Sequence, residues 1–301
     1  MDAWRNDMTS ESNAPRKRNH LAGIIAIVAA MQVIAFSDAA AKYLSLTLPL
    51  MAVIWGRFFF HALFTGVYIG FKHGPRALNP AMSGVLAARG AALFCAVGLL
   101  YATIQRIPLA TGLTLWFVEP FILTLLCRWL LKEKVSAAQW AAITVGFAGV
   151  VIAIKPTVAP FDVAYLTGLG AGVFYALFLF LTRYIDGDTP PLVSVFHTGL
   201  VGAAAASILV LFSWPAAGPT VWEWTLLMFA GGVAAIAHIF VIKSFEKTDA
   251  SVIAPYTYSE IIMAAILGYL VFGDRPDLYL ITGCALIITS GIIVGRHKTR
   301  A

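Results

Sequence analysis

Ten apolar stretches, each long enough to cross a lipid bilayer as a helix, follow one another along this chain and restrict its fold more than any other feature. They cover 20–41, 50–71, 82–104, 108–131, 136–154, 164–185, 190–213, 222–245, 249–272 and 277–295. A hydrocarbon core of about 30 Å needs about 20 apolar residues at a rise of about 1.5 Å each. Only helices and closed barrels satisfy their backbone groups in lipid. Continuous apolar runs lack the alternation of barrel strands, which leaves helices. Composition agrees: 60% of the 301 residues are hydrophobic and 12% are charged, against about 45–50% and about 25% in soluble domains. Such a chain could not cover a water-facing surface.

The punctuation between blocks is short: "KHGPRALNP", "KEKVS", "IKPTVAPFD", "RYIDGDTPP", "SWPAAGPT" and "GDRPD". Proline, glycine and charge favour tight turns, and no linker is long enough to isolate a soluble domain. The polar start, "MDAWRNDMTSESNAPRKRNH", ends in Arg16, Lys17 and Arg18 before a full-length apolar block. It reads as a cytoplasmic flank of a retained helix and not as a cleaved signal, whose apolar core would be shorter. With the N-terminus inside, fifteen of the 21 Lys and Arg residues fall on the cytoplasmic side, four on the other, and Arg57 and Arg89 lie within helices. This bias predicts both termini inside. The net charge of +6 then records topology and contact with anionic lipid, not a nucleic-acid partner. Trp214, Trp222 and Trp224 suit an interfacial belt. Cys95, Cys127 and Cys284 lie within helices at spacings that fit no metal site, so neither disulfide, metal nor cofactor is expected.

A shift of about 141 residues brings the two halves into correspondence. "AKYL" (41–44) meets "TRYI" (182–185), "PLMAVIW" (49–55) meets "PLVSVFH" (191–197), and "EPFILTLLCRWLLKEK" meets "EIIMAAILGYLVFGDR". Five helices per half is an odd number, so the second half enters from the opposite side. The prediction is an all-α integral membrane protein, with ten transmembrane helices as two inverted five-helix repeats around a central cavity. Residues 20–155 form the first repeat and 164–295 the second, flanked by cytoplasmic tails at 1–19 and 296–301. Inverted repeats are a design of transporters with a midplane site and alternating access; an enzyme, sensor or scaffold has no need of them.

The repeat pairs Glu119 with Glu260, each at the middle of an apolar block. A central acid costs about 2.5–3.5 kcal/mol on insertion scales, and intramembrane ionisable groups mark functional sites by default. Pro120 cannot donate to the Trp116 carbonyl, nor Pro255 to that of Ser251, which makes both prolines candidate hinges. Trp116 and Tyr256 share helix faces with the two acids. Together these suggest a polar, aromatic-walled cavity. The plainer alternative is a structural ion pair between the glutamates and Arg57 or Arg89, and either arginine could instead snorkel to an interface. Gln32, His61, His197, His238, Tyr101, Tyr175 and Trp55 are weaker candidates, since a lone membrane histidine is more often a hydrogen-bonded packing residue. "GLGAG" (168–172) reads as close helix packing and lacks the context of a nucleotide loop.

The segment "APYTYSEIIMAAILGYLVFGDRPDLYLITGCALIITSGI" (254–292) resembles the ending of EamA-type members of the drug/metabolite transporter superfamily. "LATGLTLWFVEPFILTLLCRWLLKEKVSAAQWAAITVGFAGVVI" (109–152) repeats the theme, with Glu133 in the acidic-turn position that Asp274 holds in the second half. The resemblance covers essentially the whole chain. It implies ten helices in two inverted repeats, a central substrate cavity and carriage of a small metabolite, usually outward. The chain is also similar to bacterial amino-acid exporters of the YddG type. Asp274 stands where glutamate is usual, and "GRFFFH" (56–61) departs from the common pattern; both bear on substrate, not fold. The expected activity is export of amino acids or similar metabolites across a bacterial inner membrane, and not enzymatic. Glu119, Glu260, Arg57 and the aromatic walls would face the ligand. A drug, nucleotide-sugar or sugar-phosphate carrier is the competing reading, and an intramembrane enzyme the reading from another class. The partners implied are a small-molecule substrate and membrane lipid, with a homodimer compatible.

Overall fold

The computed structural model describes residues 19–74, 84–132, 135–154, 162–185, 190–248 and 250–298. Within them every regular element is an α-helix: α1 (His20–Leu44), α2 (Leu50–His73), α3 (Gly84–Ile104), α4 (Leu109–Trp116), α5 (Glu119–Leu130), α6 (Ala137–Ile154), α7 (Val163–Tyr184), α8 (Pro191–Val210), α9 (Val221–Lys247), α10 (Ala250–Thr257), α11 (Glu260–Phe272) and α12 (Leu278–Lys298). Each predicted block carries one helix, or two short ones in line. Among the described residues seven spans are long and apolar enough to cross a membrane: six continuous helices, and α4 with α5 taken together. The basic flank Arg16–Arg18 and the acidic-turn residue Glu133 lie outside the described residues, and so do Arg5, Arg76, Lys134, Lys155 and Arg300. The predicted tail at 296–301 is helical through Lys298.

Local chemistry sets the helix ends. The Asn19 side chain accepts from the Ala22 amide at the start of α1. Thr220 and Glu223 form a reciprocal capping box at the start of α9, satisfying two amides that would otherwise lack partners. Gly273 ends α11 at φ 69°, a left-handed conformation that glycine adopts without the Cβ penalty.

Two of the predicted spans are interrupted. Pro120 leaves the Trp116 carbonyl without its usual donor, and the chain tightens there. Phe117 N–H bonds to Thr114 O at 3.2 Å and Val118 N–H to Leu115 O at 3.4 Å, three residues back. The second interruption falls at Tyr258 and Ser259, where Ser259 N–H bonds to Tyr256 O at 3.1 Å and Ile261 N–H to Tyr258 O at 3.1 Å. Pro255 lies inside α10, a turn before this break. Both breaks put a glutamate first in the helix that follows: Glu119 opens α5 and Glu260 opens α11.

The helices pack in a scheme that the two halves share. In the first half α1 lies against α9, α10 and α11, while in the second α7 lies against α3, α4 and α5. Of the remaining large contacts, α2 with α8 and α6 with α12 pair counterparts directly, and α2 with α9 answers α8 with α3. Polarity is inverted relative to a soluble protein. Phe71, Phe212, Val221 and Leu270 are 90%, 86%, 85% and 70% exposed, whereas Asp38, Arg57, His61, Arg89, Glu119, His197, His238 and Glu260 are buried. Apolar side chains outside and ionisable ones inside are what lipid demands. This is an integral membrane protein.

Candidate functional site

The two helix breaks meet. Thr257, the last residue of α10, donates its hydroxyl to Glu119 Oε2 at 3.2 Å. Next to this contact Phe117 and Tyr258, one from each break, pack edge to face with ring centroids 5.2 Å apart. Gln32 of α1 reaches the second break and donates its side-chain amide to the Ser259 carbonyl at 2.7 Å. Gly172 of α7 approaches the first break so closely that a Cβ there would stand 2.3 Å from the Trp116 carbonyl oxygen. Each break thus presses on the long first helix of the opposite half. Glu119 and Glu260 sit at helix N-termini, where the partial positive charge of the helix end favours an acid.

Around the breaks lies a cluster of acids with one guanidinium. Asp38 of α1 and Glu260 lie close enough to act on each other electrostatically. Arg57 of α2 is close enough to act electrostatically on both, and on Tyr175. Tyr175 also feels Glu119 and so stands among all four charged groups. The Tyr101 hydroxyl faces Asp38 and Ser37 without meeting hydrogen-bond geometry, and its ring lies 5.9 Å from the Arg57 guanidinium. Trp116 and Tyr175 form an aromatic wall with ring centroids 4.4 Å apart, and Tyr256 is half-buried one turn before the second break. Glu119 is fully buried with Oε1 unpartnered, and Asp38 and Glu260 are buried as residues.

Of the candidates read from the sequence, the structure brings Glu260, Glu119, Trp116, Tyr175, Tyr101, Arg57 and Gln32 into or against this cluster. Pro120 lies at the first break, and Pro255 within α10 before the second. His197 lies elsewhere: its Nδ1 pairs with the Val193 carbonyl at 2.8 Å, one turn back on its own helix. Arg89 does not reach an interface and finds no carboxylate. It donates from Nε to Thr182 Oγ1 at 2.7 Å, from Nη1 to the Ser194 carbonyl at 3.0 Å and to the Thr198 hydroxyl, with its guanidinium 4.5 Å from the Phe178 ring. His238 lies beside His61, ring centroids 5.2 Å apart. Trp55 joins an aromatic group with Phe59, Trp214 and Trp224, and its Nε1 donates to Ser207.

Sequence reasoning passed over Asp38. The rule that selected Glu119 applies to it equally, since it is an acid inside an apolar block. It escaped because the block 20–41 places it three residues from the block's end, where interfacial charges are common. The helix in fact runs on to Leu44, which carries Asp38 inward.

An ion pair and two hydrogen bonds tie three elements together at one end of the bundle. Lys42, on the last turn of α1, pairs with Asp274 Oδ2 at 3.2 Å and also donates to the Ile107 carbonyl. The same Asp274 oxygen accepts from the Leu109 amide, at the first residue of α4.

Known proteins place this arrangement. The chain is 25% identical to an S-adenosylmethionine uptake transporter of Rickettsia prowazekii (strain Madrid E), with 92% of this chain and 93% of that protein covered. It is 29% identical to a riboflavin transporter of Vibrio cholerae, covering 67% of each. It is 26% identical to the pseudopaline exporter CntI of Pseudomonas aeruginosa, covering 92% and 96%. A protein of known crystal structure matches 91% of the chain with a TM-score of 0.71 at 18% identity, which shows a shared fold. The EamA-like transporter family matches residues 21–155 and again 162–296. The chain is therefore a membrane transporter and not an enzyme, and it belongs to the EamA-like transporter family of the drug/metabolite transporter superfamily.

Proposed function

We propose that this protein is a secondary transporter of the bacterial inner membrane that carries amino acids or small amino-acid-like metabolites by alternating access. Its ten spans act as two inverted repeats, with both termini cytoplasmic. The basic bias of the predicted cytoplasmic segments supports that orientation, and the exchangeable packing scheme of the halves supports the repeat. A carrier that works by facilitation or exchange follows the gradient, which is outward for a metabolite made in the cell.

The observation that carries the substrate class is the electrostatic grouping of Asp38 and Glu260 with Arg57, next to the break that Glu260 follows. An amino acid presents an ammonium, a carboxylate and a side chain. Asp38 and Glu260 suit the ammonium, Arg57 the carboxylate, and Trp116, Tyr175 and Tyr256 the remainder. Acids outnumber the one unpaired guanidinium among them, which favours a ligand with a cationic centre. S-adenosylmethionine, named for the Rickettsia relative, has this character. Within the acid cluster the same count disfavours the phosphate group of a sugar-phosphate or nucleotide-sugar, which needs clustered cations around it. Rocking of the halves about the breaks would expose the ligand to each side in turn.

The test is reconstitution in liposomes with a panel of labelled amino acids and S-adenosylmethionine, wild type beside Glu260→Gln. Saturable wild-type flux that collapses in the variant is the expected result. Absence of flux for every member of the panel would defeat the substrate class, and unchanged flux in the variant would reduce Glu260 to a structural role.

A further inference from the structure

A second polar cluster lies beside the first and has the opposite charge. His61 follows Arg57 by one turn on α2 and meets His238 of α9, while Arg89 of α3 lies on the Phe178 ring, whose centroid is 5.5 Å from that of His238. All four ionisable side chains are 0–3% exposed. Their nitrogens are largely unpartnered: Arg57 Nε and Nη1, both nitrogens of His61, Arg89 Nη2 and His238 Nδ1 make no hydrogen bond. These are six of the ten sealed, unpartnered side-chain polar atoms in the described residues, so the deficit is concentrated in one place. The Val195 carbonyl lies near His61 but outside hydrogen-bonding geometry. The charged groups that act on His61 and His238 are Arg57 and Arg89, with no carboxylate among them. Arg57 acts electrostatically both on Asp38 and on the two histidines.

Buried donors in native proteins are almost always paired, and a guanidinium tolerates burial only with compensation. Here the missing complement is an acceptor with negative charge. A cation is disfavoured by the two arginines, and nothing apolar would satisfy the nitrogens. We propose that Arg57, His61 and His238, with Arg89 behind Phe178, form a binding site for a small monovalent anion. The site adjoins the acid cluster, with which it shares Arg57, and is closed in this conformation. The glycines at its walls say what must move to open it. A Cβ on Gly231 of α9 would lie 2.8 Å from the Arg57 carbonyl oxygen and 2.9 Å from the His61 amide nitrogen, and one on Gly199 of α8 would lie 2.9 Å from both the Ala62 amide nitrogen and His61 Cδ2. The seam of α2 with α8 and α9 is thus held at close approach around His61, and its separation would admit the anion. A carboxylate of the carried metabolite and a free inorganic anion share the required chemistry.

The purified full-length protein tests this by thermal unfolding in sodium acetate and in sodium chloride, each against sodium isethionate at equal ionic strength. Wild type is expected to show a saturable rise in melting temperature of several degrees with acetate. The double variant His61→Leu/His238→Leu, which removes donors without adding charge, is expected to fold and to lose that rise. Stabilisation by acetate alone identifies a carboxylate as the ligand, and equal stabilisation by chloride identifies a free inorganic anion. No saturable rise in wild type with either salt, or the same rise in the double variant, overturns the site. Should the double variant not fold, His238→Leu alone is expected to raise the half-saturating concentration at least tenfold, and an unchanged value is equally fatal. The inference does not depend on the amino-acid reading: anion stabilisation without amino-acid flux would leave this site standing and remove only that substrate class.

Discussion

Thr257 Oγ1 donates to Glu119 Oε2 at 3.2 Å and thereby ties the break in one interrupted span to the break in the other. Glu119 is fully buried and its second oxygen has no partner. Thr257→Val should leave the whole carboxyl group without a donor, at a cost of about 1–3 kcal/mol. Thr257→Ser should recover most of it. Unfolding of the three proteins in one detergent, followed by intrinsic fluorescence, checks the order. Equal stability of the valine variant and wild type would show that Glu119 is held by something other than this hydroxyl.

Asp38 makes the sharpest functional prediction because it acts electrostatically on Glu260 and sits in the field of Arg57. Asp38→Asn keeps the shape and removes one negative charge. Flux of a cationic or zwitterionic substrate should fall at least about tenfold, the equivalent of about 1.4 kcal/mol, while expression and melting temperature stay close to wild type. A variant that transports normally would exclude Asp38 from the ligand's path.

How legible these groups were in the sequence depended on how local their signals are. Glu119 and Glu260 stood out because a carboxylate in mid-span has no ordinary reason to be there, and repeat pairing doubled the signal. The first break was also readable, since Pro120 removes a hydrogen bond at a definite carbonyl. The second was not. Pro255 removes only the bond to Ser251, in the first turn of α10, where the loss interrupts nothing. The break at Ser259 is instead supported by Gln32, more than two hundred residues away in sequence, and no local pattern announces that contact. Arg89 was ambiguous for the same reason: its acceptors come from Thr182, Ser194 and Thr198 on two other helices. Polar residues that act through helix-to-helix contacts are identified by packing and not by spacing.

The glycine motif "GLGAG" separates into unequal positions. A Cβ at Gly172 would meet the Trp116 carbonyl oxygen at 2.3 Å, backbone that cannot swing aside, whereas at Gly170 it would meet only the Leu99 Cδ1 at 3.3 Å. Gly172→Ala should therefore destabilise by about 1–3 kcal/mol or more and loosen the first break. Gly170→Ala should be near neutral, or slightly stabilising through helix propensity. Parallel melting curves distinguish the two, and an equal loss at both positions would contradict the assigned helix contact.

The Lys42–Asp274 pair permits a test of conformational gating. Its side chains are 12% and 25% exposed, shielded enough for the pair to matter, and Asp274 Oδ2 also accepts the Leu109 amide. The contact therefore holds the end of α1, the start of α4 and the turn after α11 together. Asp274→Asn retains an acceptor for Leu109 but removes the charge that faces Lys42. If the pair contributes about 1 kcal/mol to the conformation closed at this end, its loss shifts the open population about fivefold. The reporter is Tyr256→Cys in a background with Cys95, Cys127 and Cys284 replaced by alanine, labelled by a membrane-impermeant maleimide from the side of this contact. Labelling should accelerate about fivefold when Asp274→Asn is added, and Lys42→Met should act in the same direction. An unchanged rate in both backgrounds would mean that the pair anchors the turn without controlling access, and the closure of this end would then have to reside in the packing of α1 against α11.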